Sequence, residues 1–276
     1  MRKTLAKQTV IKGIGLHTGA PATMTFNPAD NGITFLRTDI AGSTPIIADV
    51  FHVGSTLRGT NLKNETAEVC TVEHVLSALH ALGITDVCVE MDGPEPPVTD
   101  GASDEYAAAF LQAGLKDLTT EQPVLDIKRK ITYTSGNISY SAEPADKLTF
   151  TFIYEHKHPL VSHLEYTVEF TPENYLNEIA RARTFGFEEE LAFLKAHGLA
   201  KGGNLENAVI IGKTDFLNER RYPDEMVRHK LLDLIGDISL TTYKLPPLTI
   251  VCRGGGHKHN VIFAKILLAN KEEKGW

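Results

Sequence analysis

The order of strand-like and helical segments constrains the fold of this chain most, because the same order occurs twice. Four short segments of strand pattern lie within residues 4–50, separated by Gly, Pro, Asn and Asp, and helical patterns follow within residues 71–114. A second series of strand patterns begins at Val124 and again precedes helices. Strands followed by helices, in place of strict alternation, predict an α+β fold. We therefore expect two sheet-plus-helix halves of similar build, although they share no detectable sequence repeat.

The stretch between the two halves predicts a linker. The segment "LKDLTTEQP", residues 115–123, lacks apolar periodicity, and we place the linker itself at residues 119–123. The predicted domains are then residues 1–118 and residues 124–276. In the first domain, Thr71 is the expected N-cap and Gly83 the expected C-terminal stop of a helix in "TVEHVLSALHALGI".

Composition narrows the class of protein. With 42% hydrophobic and 23% charged residues among 276, the chain is typical of a soluble globular protein. Its net charge of −7 argues against broad binding to nucleic acid. Three distant cysteines fit a reducing compartment, and the N-terminus lacks the apolar segment of a signal peptide. We therefore expect a cytoplasmic protein without stable membrane insertion, because the apolar run "VIFAKILLA" is short and contains Lys265.

The segment "RHKLLDLIGD", residues 228–237, places three ionisable side chains on one face of a helix. His229, Asp233 and Asp237 are spaced four residues apart and share this face, whereas the leucines and Ile235 lie on the opposite one. A His and an Asp one turn apart can bind a single metal ion from one rigid element. Taken alone, the segment leaves open a solvated helix face with an i,i+4 His–Asp contact.

Two further motifs place histidines at helix N-termini. In "TVEH", His74 can bind a metal, and Glu73 can take a proton from a water that the metal activates. Glu73 is also compatible with a first-turn acidic residue that complements the helix dipole. In "RGGGHKHN", the helix field lowers the pKa of His257, which needs a carboxylate neighbour to stay protonated, and Asp237 is the candidate. The glycines also suggest phosphate binding, but their spacing fits no phosphate-loop motif.

Three glycine-containing stretches are compatible with simple turns and also with close approach of the backbone to a ligand. "GIGLHTG" places His17 between glycines. "RARTFGF" places Thr184 and the two phenylalanines Phe185 and Phe187 before a helix. "HGLAKGGNLENA" contains Gly203 in a third loop.

In this order, these stretches resemble one family closely, the zinc-dependent UDP-3-O-acyl-N-acetylglucosamine deacetylases of lipid A biosynthesis in Gram-negative bacteria. The resemblance runs from residue 11 to residue 260 and covers nearly the whole chain. The matching stretches are "GIGLHTG", "TVEH", "GPEPPVTDG", "ARTFGF", "GLAKGG", "VRHKLLDLIGD" and "GGGH" with the following Asn260.

The resemblance implies a metal centre and the residues that act beside it. The implied zinc ligands are His74, His229 and Asp233. This set leaves a coordination position open for water, and Fe²⁺ is an alternative ion for it. Glu73 would be the general base. His257, oriented by Asp237, would stabilise the oxyanion or protonate the leaving amine, and Thr184 resembles the hydroxyl that binds the developing oxyanion.

The resemblance also implies how the substrate is held. The expected substrate-binding residues are Lys230, Phe185, Phe187, Gly203 and His17. Lys230 is similar to the family's basic contact, the phenylalanines would lie near the sugar and nucleotide, and Gly203 would approach with its backbone. An apolar passage lined by residues 198–207 would take the acyl chain. The implied protein is a monomer whose helix layers are sandwiched between two sheets, with an insert in each half.

Two other functions remain open at this point. The chain would be a zinc amidohydrolase for a different N-acyl sugar if the UDP and acyl groups contributed nothing to recognition. It would be a non-enzymatic binding protein if the same cleft held no metal. The occurrence of Glu73 beside three candidate ligands favours an enzyme.

Overall fold

The computed structural model describes residues 1–271, in which two five-stranded sheets enclose a layer of helices. The first half of the chain contains two helices, α1 (Glu73–Ala81) and α2 (Asp104–Ala113). Its strands are β1 (Lys3–Leu5), β2 (Thr9–Ile14), β3 (Pro21–Pro28), β4 (Ile33–Arg37), β5 (Ile46–Ile47), β6 (Val53–Ser55), β7 (Asn61–Lys63), β8 (Glu68–Val69), β9 (Val87–Met91) and β10 (Leu115–Asp117).

The second half also combines strands with helices. Its strands are β11 (Ile131–Ser135), β12 (Ile138–Pro144), β13 (Thr149–Glu155), β14 (His163–Glu169), β15 (Phe185–Phe187), β16 (Val209–Ile211) and β17 (Leu248–Arg253). Its α-helices are α3 (Pro172–Asn174), α4 (Glu188–Ala196), α5 (Glu225–Ser239) and α6 (His257–Ala269). A 3₁₀ turn covers Pro159–Val161, and a π-helical turn, Tyr175–Ile179, continues α3.

Both large sheets follow one strand plan. The first has the order β2-β3-β9-β4-β5 and the second the order β11-β12-β17-β13-β14. In each, the last strand in sequence enters the centre, parallel to one neighbour and antiparallel to the other. The predicted α+β fold with two similar halves is therefore confirmed, although the likeness lies in topology and not in sequence.

Alternating burial turns one face of each sheet toward the helices. In β3, Ala22, Met24 and Phe26 are buried while the residues between them are not, and β17 shows the same alternation. Helices α1 and α2 cover the first sheet, α5 and α6 cover the second, and α1 packs against α5 between them. Leu240 joins the first core and Ala81 the second, so the two cores interlock.

Each half carries an insert after the fourth strand of its sheet and before the helix that lies at the centre of the molecule, α1 or α5. In the first half the insert is the three-stranded sheet β6-β7-β8, which precedes α1. In the second half it contains β15, α4 and β16, with the two strands paired in parallel, and it precedes α5. Both inserts therefore lead directly into the helices that meet at the centre.

Three local predictions were wrong. Thr71 is not the N-cap of α1, because its hydroxyl donates to Glu95 at 3.4 Å; Val72 takes that position. The segment "LKDLTTEQP" is not irregular throughout, because its first three residues form β10, which pairs with β1. The strand expected from Val124 begins only at β11, since residue 124 makes an isolated bridge to Lys244. Gly83 does follow α1 with a φ of 70°, as a C-terminal stop requires.

Within residues 1–271, no helix is both long and apolar enough to cross a bilayer, and α5, with 15 residues, is the longest. All three cysteines are free. The division of the chain at residues 119–123 stays a prediction, and residues 272–276 of the second predicted domain lie outside the described part.

Candidate active site

The candidate site lies where the N-terminus of α1 meets the middle of α5. Gly236 of α5 permits this contact. A β-carbon at that position would lie only 2.2 Å from the carbonyl oxygen of Glu73. Glycine alone lacks this atom, so the two helices approach closely enough for their polar side chains to meet. Glu73 and His74 stand in the first turn of α1, and α5 directs His229 and Asp233 toward them.

Two imidazoles and one carboxylate converge at this point. The candidate ligand atoms of His74, His229 and Asp233 all lie within 4.8 Å of one another. Asp233 Oδ1 is 3.7 Å from His74 Nε2 and 3.4 Å from His229 Nε2, and the two rings are nearly perpendicular. All three residues are buried. Nitrogen and oxygen donors held by two rigid helices are typical of a catalytic zinc site, which keeps one position open.

The hydrogen bonding of Asp233 and His229 shows whether a metal ion fits this group. Asp233 Oδ1 is buried and has no hydrogen-bond partner among the described residues, which is costly unless a cation binds it. His229 Nδ1 lies 3.0 Å from the carbonyl oxygen of Ala182, an acceptor, so Nδ1 carries the proton and Nε2 keeps its lone pair. The residues therefore fit a divalent metal ion.

The pKa shifts of the three candidate ligands favour the protonation states that bind a metal ion. Burial and then the neighbouring His229 lower the pKa of His74 to about 3, and burial lowers the pKa of His229, so both imidazoles are neutral at pH 7. Burial raises the pKa of Asp233, but His229 and Lys230 outweigh it and hold this pKa far below its usual range. Neutral imidazoles and an ionised carboxylate are the forms that bind metal.

Glu73 and His257 face each other beside these three residues. Glu73 Oε1 lies 3.8 Å from His257 Nε2, and the other carboxylate oxygen accepts the backbone N–H of Thr60 at 2.8 Å. Burial raises the pKa of Glu73 to about 7, despite the opposing charge of His257. Burial alone would lower the pKa of His257, but Glu73 and Asp237 raise it to about 9. The arrangement thus offers a poised carboxylate and a cationic imidazole.

Asp237 supports His257 from behind. Its Oδ2 lies 3.1 Å from His257 Nδ1 and accepts the side-chain amide of Asn260 at 2.8 Å, and Asn260 in turn accepts the hydroxyl of Tyr140. Asp237 is fully buried, and its carboxylate also accepts the hydroxyl of Thr60. The sequence pairing of Asp237 with His257 has its counterpart in this geometry.

A cavity of about 480 Å³ opens above these groups. Its lining includes Glu73, the three candidate ligands and His257, together with Thr184, Lys230, Gly203 and His17. Apolar side chains from the second insert also line it, and they are Leu191, Leu194, Leu205, Ala208 and Ile210. Charged and apolar side chains thus face the same cavity, as a ligand with polar and apolar parts requires.

The two predicted phenylalanines lie differently. Phe185 lines the cavity, and its ring meets His229 edge-on. Phe187 is 8% exposed and packs in a separate small cluster, where it stacks on His156 at 4.3 Å. An aromatic series from Phe185 through Tyr154 and His156 to Phe187 connects the two positions. The structure therefore brings Phe185, but not Phe187, to the cavity wall.

Glu95 and Thr60 are residues that the sequence did not single out. Glu95, which is 1% exposed, accepts the backbone N–H groups of His17 and Thr18 and the Thr18 hydroxyl. It thereby fixes the "GIGLHTG" loop at the cavity. Its position in "GPEPPVTDG" was the available signal, whereas Thr60 lies in no motif.

A buried ion pair positions the "RARTFGF" turn. Arg183 Nε donates to Glu225 Oε1 at 2.9 Å, and the Arg183 backbone N–H reaches the same oxygen at 3.0 Å. The pair joins the start of α5 to the turn that carries the Ala182 carbonyl and Thr184. The orientation of His229 therefore depends on this pair.

Replacing Arg183 by methionine is expected to lower the free energy of unfolding by about 3–5 kcal/mol, because it leaves the Glu225 carboxylate buried without its countercharge. Arg253→Met is the matched control, since Arg253 pairs with Glu155 at the surface, where about 1 kcal/mol or less is expected. Guanidinium denaturation of both variants measures the difference. Equal effects would show that the buried pair has no special weight.

The chain is similar over nearly its whole length to proteins of one known family. A model of the family LpxC: UDP-3-O-acyl N-acetylglycosamine deacetylase matches residues 2–269. The chain belongs to this deacetylase family. A UDP-3-O-acyl-N-acetylglucosamine deacetylase of Anaeromyxobacter dehalogenans (strain 2CP-C) is 38% identical over 274 residues, or 98% of this chain and 88% of the relative. The equally named proteins of Citrifermentans bemidjiense and Aliarcobacter butzleri are 39% identical over 248 residues and 36% identical over 270 residues. These cover 88% and 96% of this chain and 81% and 89% of the relatives.

Membership of the LpxC family confirms the family resemblance seen in the sequence. LpxC deacetylases are metal-dependent hydrolases of carbon–nitrogen bonds, and His74, His229 and Asp233 form a group in this chain that could hold the ion. The two-sheet fold with its inner helices agrees with that membership.

Proposed function

We propose that the chain hydrolyses the N-acetyl group of UDP-3-O-acyl-N-acetylglucosamine. The products are acetate and UDP-3-O-acyl-glucosamine, and the reaction is the committed step of lipid A biosynthesis. The observation that carries the proposal is the convergence of His74, His229 and Asp233 beside Glu73 in a cavity that apolar side chains also line. Three relatives that are 36–39% identical to this chain over the aligned residues bear the name of this enzyme.

The proposed metal is Zn²⁺, bound by His74, His229 and Asp233, with Fe²⁺ as the alternative ion. When bound, it lowers the pKa of a coordinated water and polarises the amide carbonyl. Two imidazoles and a carboxylate support zinc because zinc accepts this mixed donor set readily.

The protein's own residues carry the proton transfers. Glu73 takes a proton from the attacking water, whose oxygen forms a bond to the acetamide carbon. The Thr184 hydroxyl donates to the oxyanion of the tetrahedral species, and the cationic His257 adds to its stabilisation. The carbon–nitrogen bond then breaks, and the amine receives a proton from His257 or from Glu73. Asp237 keeps His257 oriented and stabilises its cationic form until that proton is transferred.

The substrate-binding roles are proposals of the same kind. Lys230 lines the cavity and donates to Asp233 at 2.9 Å, so it is placed to balance charge near the sugar. His17 lines the cavity, and its Nε2 lies 3.1 Å from the carbonyl oxygen of Arg58, a contact that holds the ring beside the substrate. Gly203 offers its backbone. Phe185 would contact the sugar directly. Phe187 would support the site indirectly, because its ring stacks on His156.

The acyl chain is proposed to occupy the part of the cavity that the apolar side chains of the second insert line. Leu191 and Leu194 of α4, together with Ala208 and Ile210, support this position because all four line the cavity. The free cysteines support a cytoplasmic location, where the chain would act as a monomer of two domains joined at residues 119–123.

Enlarging Leu191 to tryptophan is expected to obstruct this part of the cavity. For a long-chain substrate, kcat/KM should fall about tenfold, which corresponds to about 1.4 kcal/mol, while a 3-O-acetyl analogue is affected less than about twofold. Phe193→Trp on the outer side of the same helix is the control, since Phe193 is 56% exposed. Equal losses on both substrates would contradict the proposed position of the chain.

Deacetylation assays test the function itself. We expect the complete substrate to be turned over with a kcat/KM at least about 10²-fold above those of UDP-N-acetylglucosamine and free N-acetylglucosamine, because remote binding energy is used at the transition state. Uniform activity on all three would instead favour an amidohydrolase for other N-acyl sugars. Absence of turnover in the zinc-loaded protein would refute an enzymatic function.

A further inference from the structure

Thr60 lies at the junction of the two helices although it belongs to neither. It precedes β7 in the first insert, and its side chain is completely buried. Its carbonyl oxygen accepts the backbone N–H of Val72, the N-cap of α1, at 3.0 Å. The backbone at Thr60 is thereby fixed to the start of the helix that carries Glu73.

The two donors of Thr60 reach two different carboxylates. Its backbone N–H donates to Glu73 Oε2 at 2.8 Å, and its hydroxyl donates to Asp237 Oδ1 at 2.5 Å. Glu73 belongs to α1 and Asp237 to α5, so one residue links acidic side chains from both halves of the molecule. Hydrogen bonds from neutral donors to buried carboxylates are among the stronger ones in proteins.

The hydroxyl completes the set of donors around Asp237. Oδ2 of Asp237 is shared by His257 Nδ1 and Asn260 Nδ2, whereas Thr60 supplies the donor to Oδ1. With both oxygens held, the carboxylate plane is fixed, and so is the imidazole that it contacts. Without the hydroxyl, Oδ1 would remain buried and unsatisfied, and the carboxylate would turn to find another donor.

We propose that Thr60 is a positioning residue for the deacetylation, which holds Glu73 through its backbone and the Asp237–His257 pair through its hydroxyl. This inference rests on the proposed function of Glu73 and His257. The first insert would thus help to align Glu73 of the first half with His257 of the second half.

The test compares Thr60→Val, which removes the hydroxyl at nearly constant volume, with Thr60→Ser, which retains it. Thr60→Val should lower kcat about 10- to 100-fold with KM and zinc content nearly unchanged, and Thr60→Ser should stay within about threefold of the parent. Thr151→Val is the matched control, because Thr151 is also buried but its hydroxyl bonds that of Thr167, in the second sheet. It should leave kcat unchanged. If Thr60→Val does not fold, Thr60→Ala takes its place in the comparison with Thr60→Ser.

A double-mutant cycle with Asp237→Ala separates positioning from packing. If Thr60 acts through Asp237, removing its hydroxyl in the Asp237→Ala background should change kcat less than about twofold. Full additivity, loss of zinc from Thr60→Val, or equal losses in the valine and serine variants would each overturn the inference. An inactive parent enzyme would overturn the proposed function as well, whereas an active parent with an active Thr60→Val variant would overturn this inference alone.

Discussion

Replacing Glu73 by glutamine is expected to lower kcat by a factor of about 10²–10⁴, the usual contribution of a positioned general base. Glutamine keeps the size of the side chain and can still accept the Thr60 backbone N–H, so the local structure should persist. Metal content should stay near one ion per chain, because the candidate ligands are His74, His229 and Asp233. Steady-state kinetics and elemental analysis of the same preparations measure both quantities.

The control for this variant is Glu173→Gln, at an exposed position in α3, which should leave kcat unchanged. Loss of the metal from Glu73→Gln would mean that Glu73 is a ligand, as its presence in a second potential group with Asp233 and His257 allows. A kcat within tenfold of the parent would remove Glu73 from the reaction. Either result would require a different base.

Gly236→Ala is expected to abolish most activity and to destabilise the fold. In an exposed helix, replacing glycine by alanine stabilises by about 1 kcal/mol. Here the added methyl would lie 2.2 Å from the Glu73 carbonyl oxygen, and overpacking of this kind costs about 1–3 kcal/mol. Helix α1 must then move away from α5, and a displacement near 1 Å lowers rates about 10²-fold. Denaturation curves and kcat measure the two effects.

Gly93→Ala is the control, because a β-carbon there would meet its nearest neighbour, the Pro21 carbonyl oxygen, at 3.4 Å, an ordinary contact. It should change the stability of the protein by less than about 1 kcal/mol and leave kcat intact. A Gly236→Ala variant that is more stable than the parent and fully active would show that close contact between α1 and α5 does not position the site.

The sequence predicts those features that depend on local periodicity. The i, i+4, i+8 spacing placed His229, Asp233 and Asp237 on one face of α5, and the structure has them there with the leucines buried opposite. The alternative of a solvated helix face is wrong, since all three ionisable residues are buried. The strand-then-helix order predicted both halves correctly, because alternation along β3 or β17 is a local property of the strand.

Features that depend on distant contacts were not predictable in this way. The bond between Thr60 and Asp237 spans 177 positions and involves one hydroxyl, which leaves no pattern in the sequence. Thr71 has the residue type of an N-cap, but its hydroxyl donates to Glu95 and does not cap the helix. The three residues of β10 are all exposed, so the segment has no alternating apolar pattern that would predict a strand. It forms a strand because it pairs with β1.

Anomalous diffraction from crystals of the zinc-loaded protein, recorded on both sides of the zinc absorption edge, would locate the metal ion. We expect one strong peak within about 2.0–2.2 Å of Nε2 of His74, Nε2 of His229 and a carboxylate oxygen of Asp233. A peak at another set of side chains, or none at these three in protein that turns over substrate, would contradict the proposed zinc site.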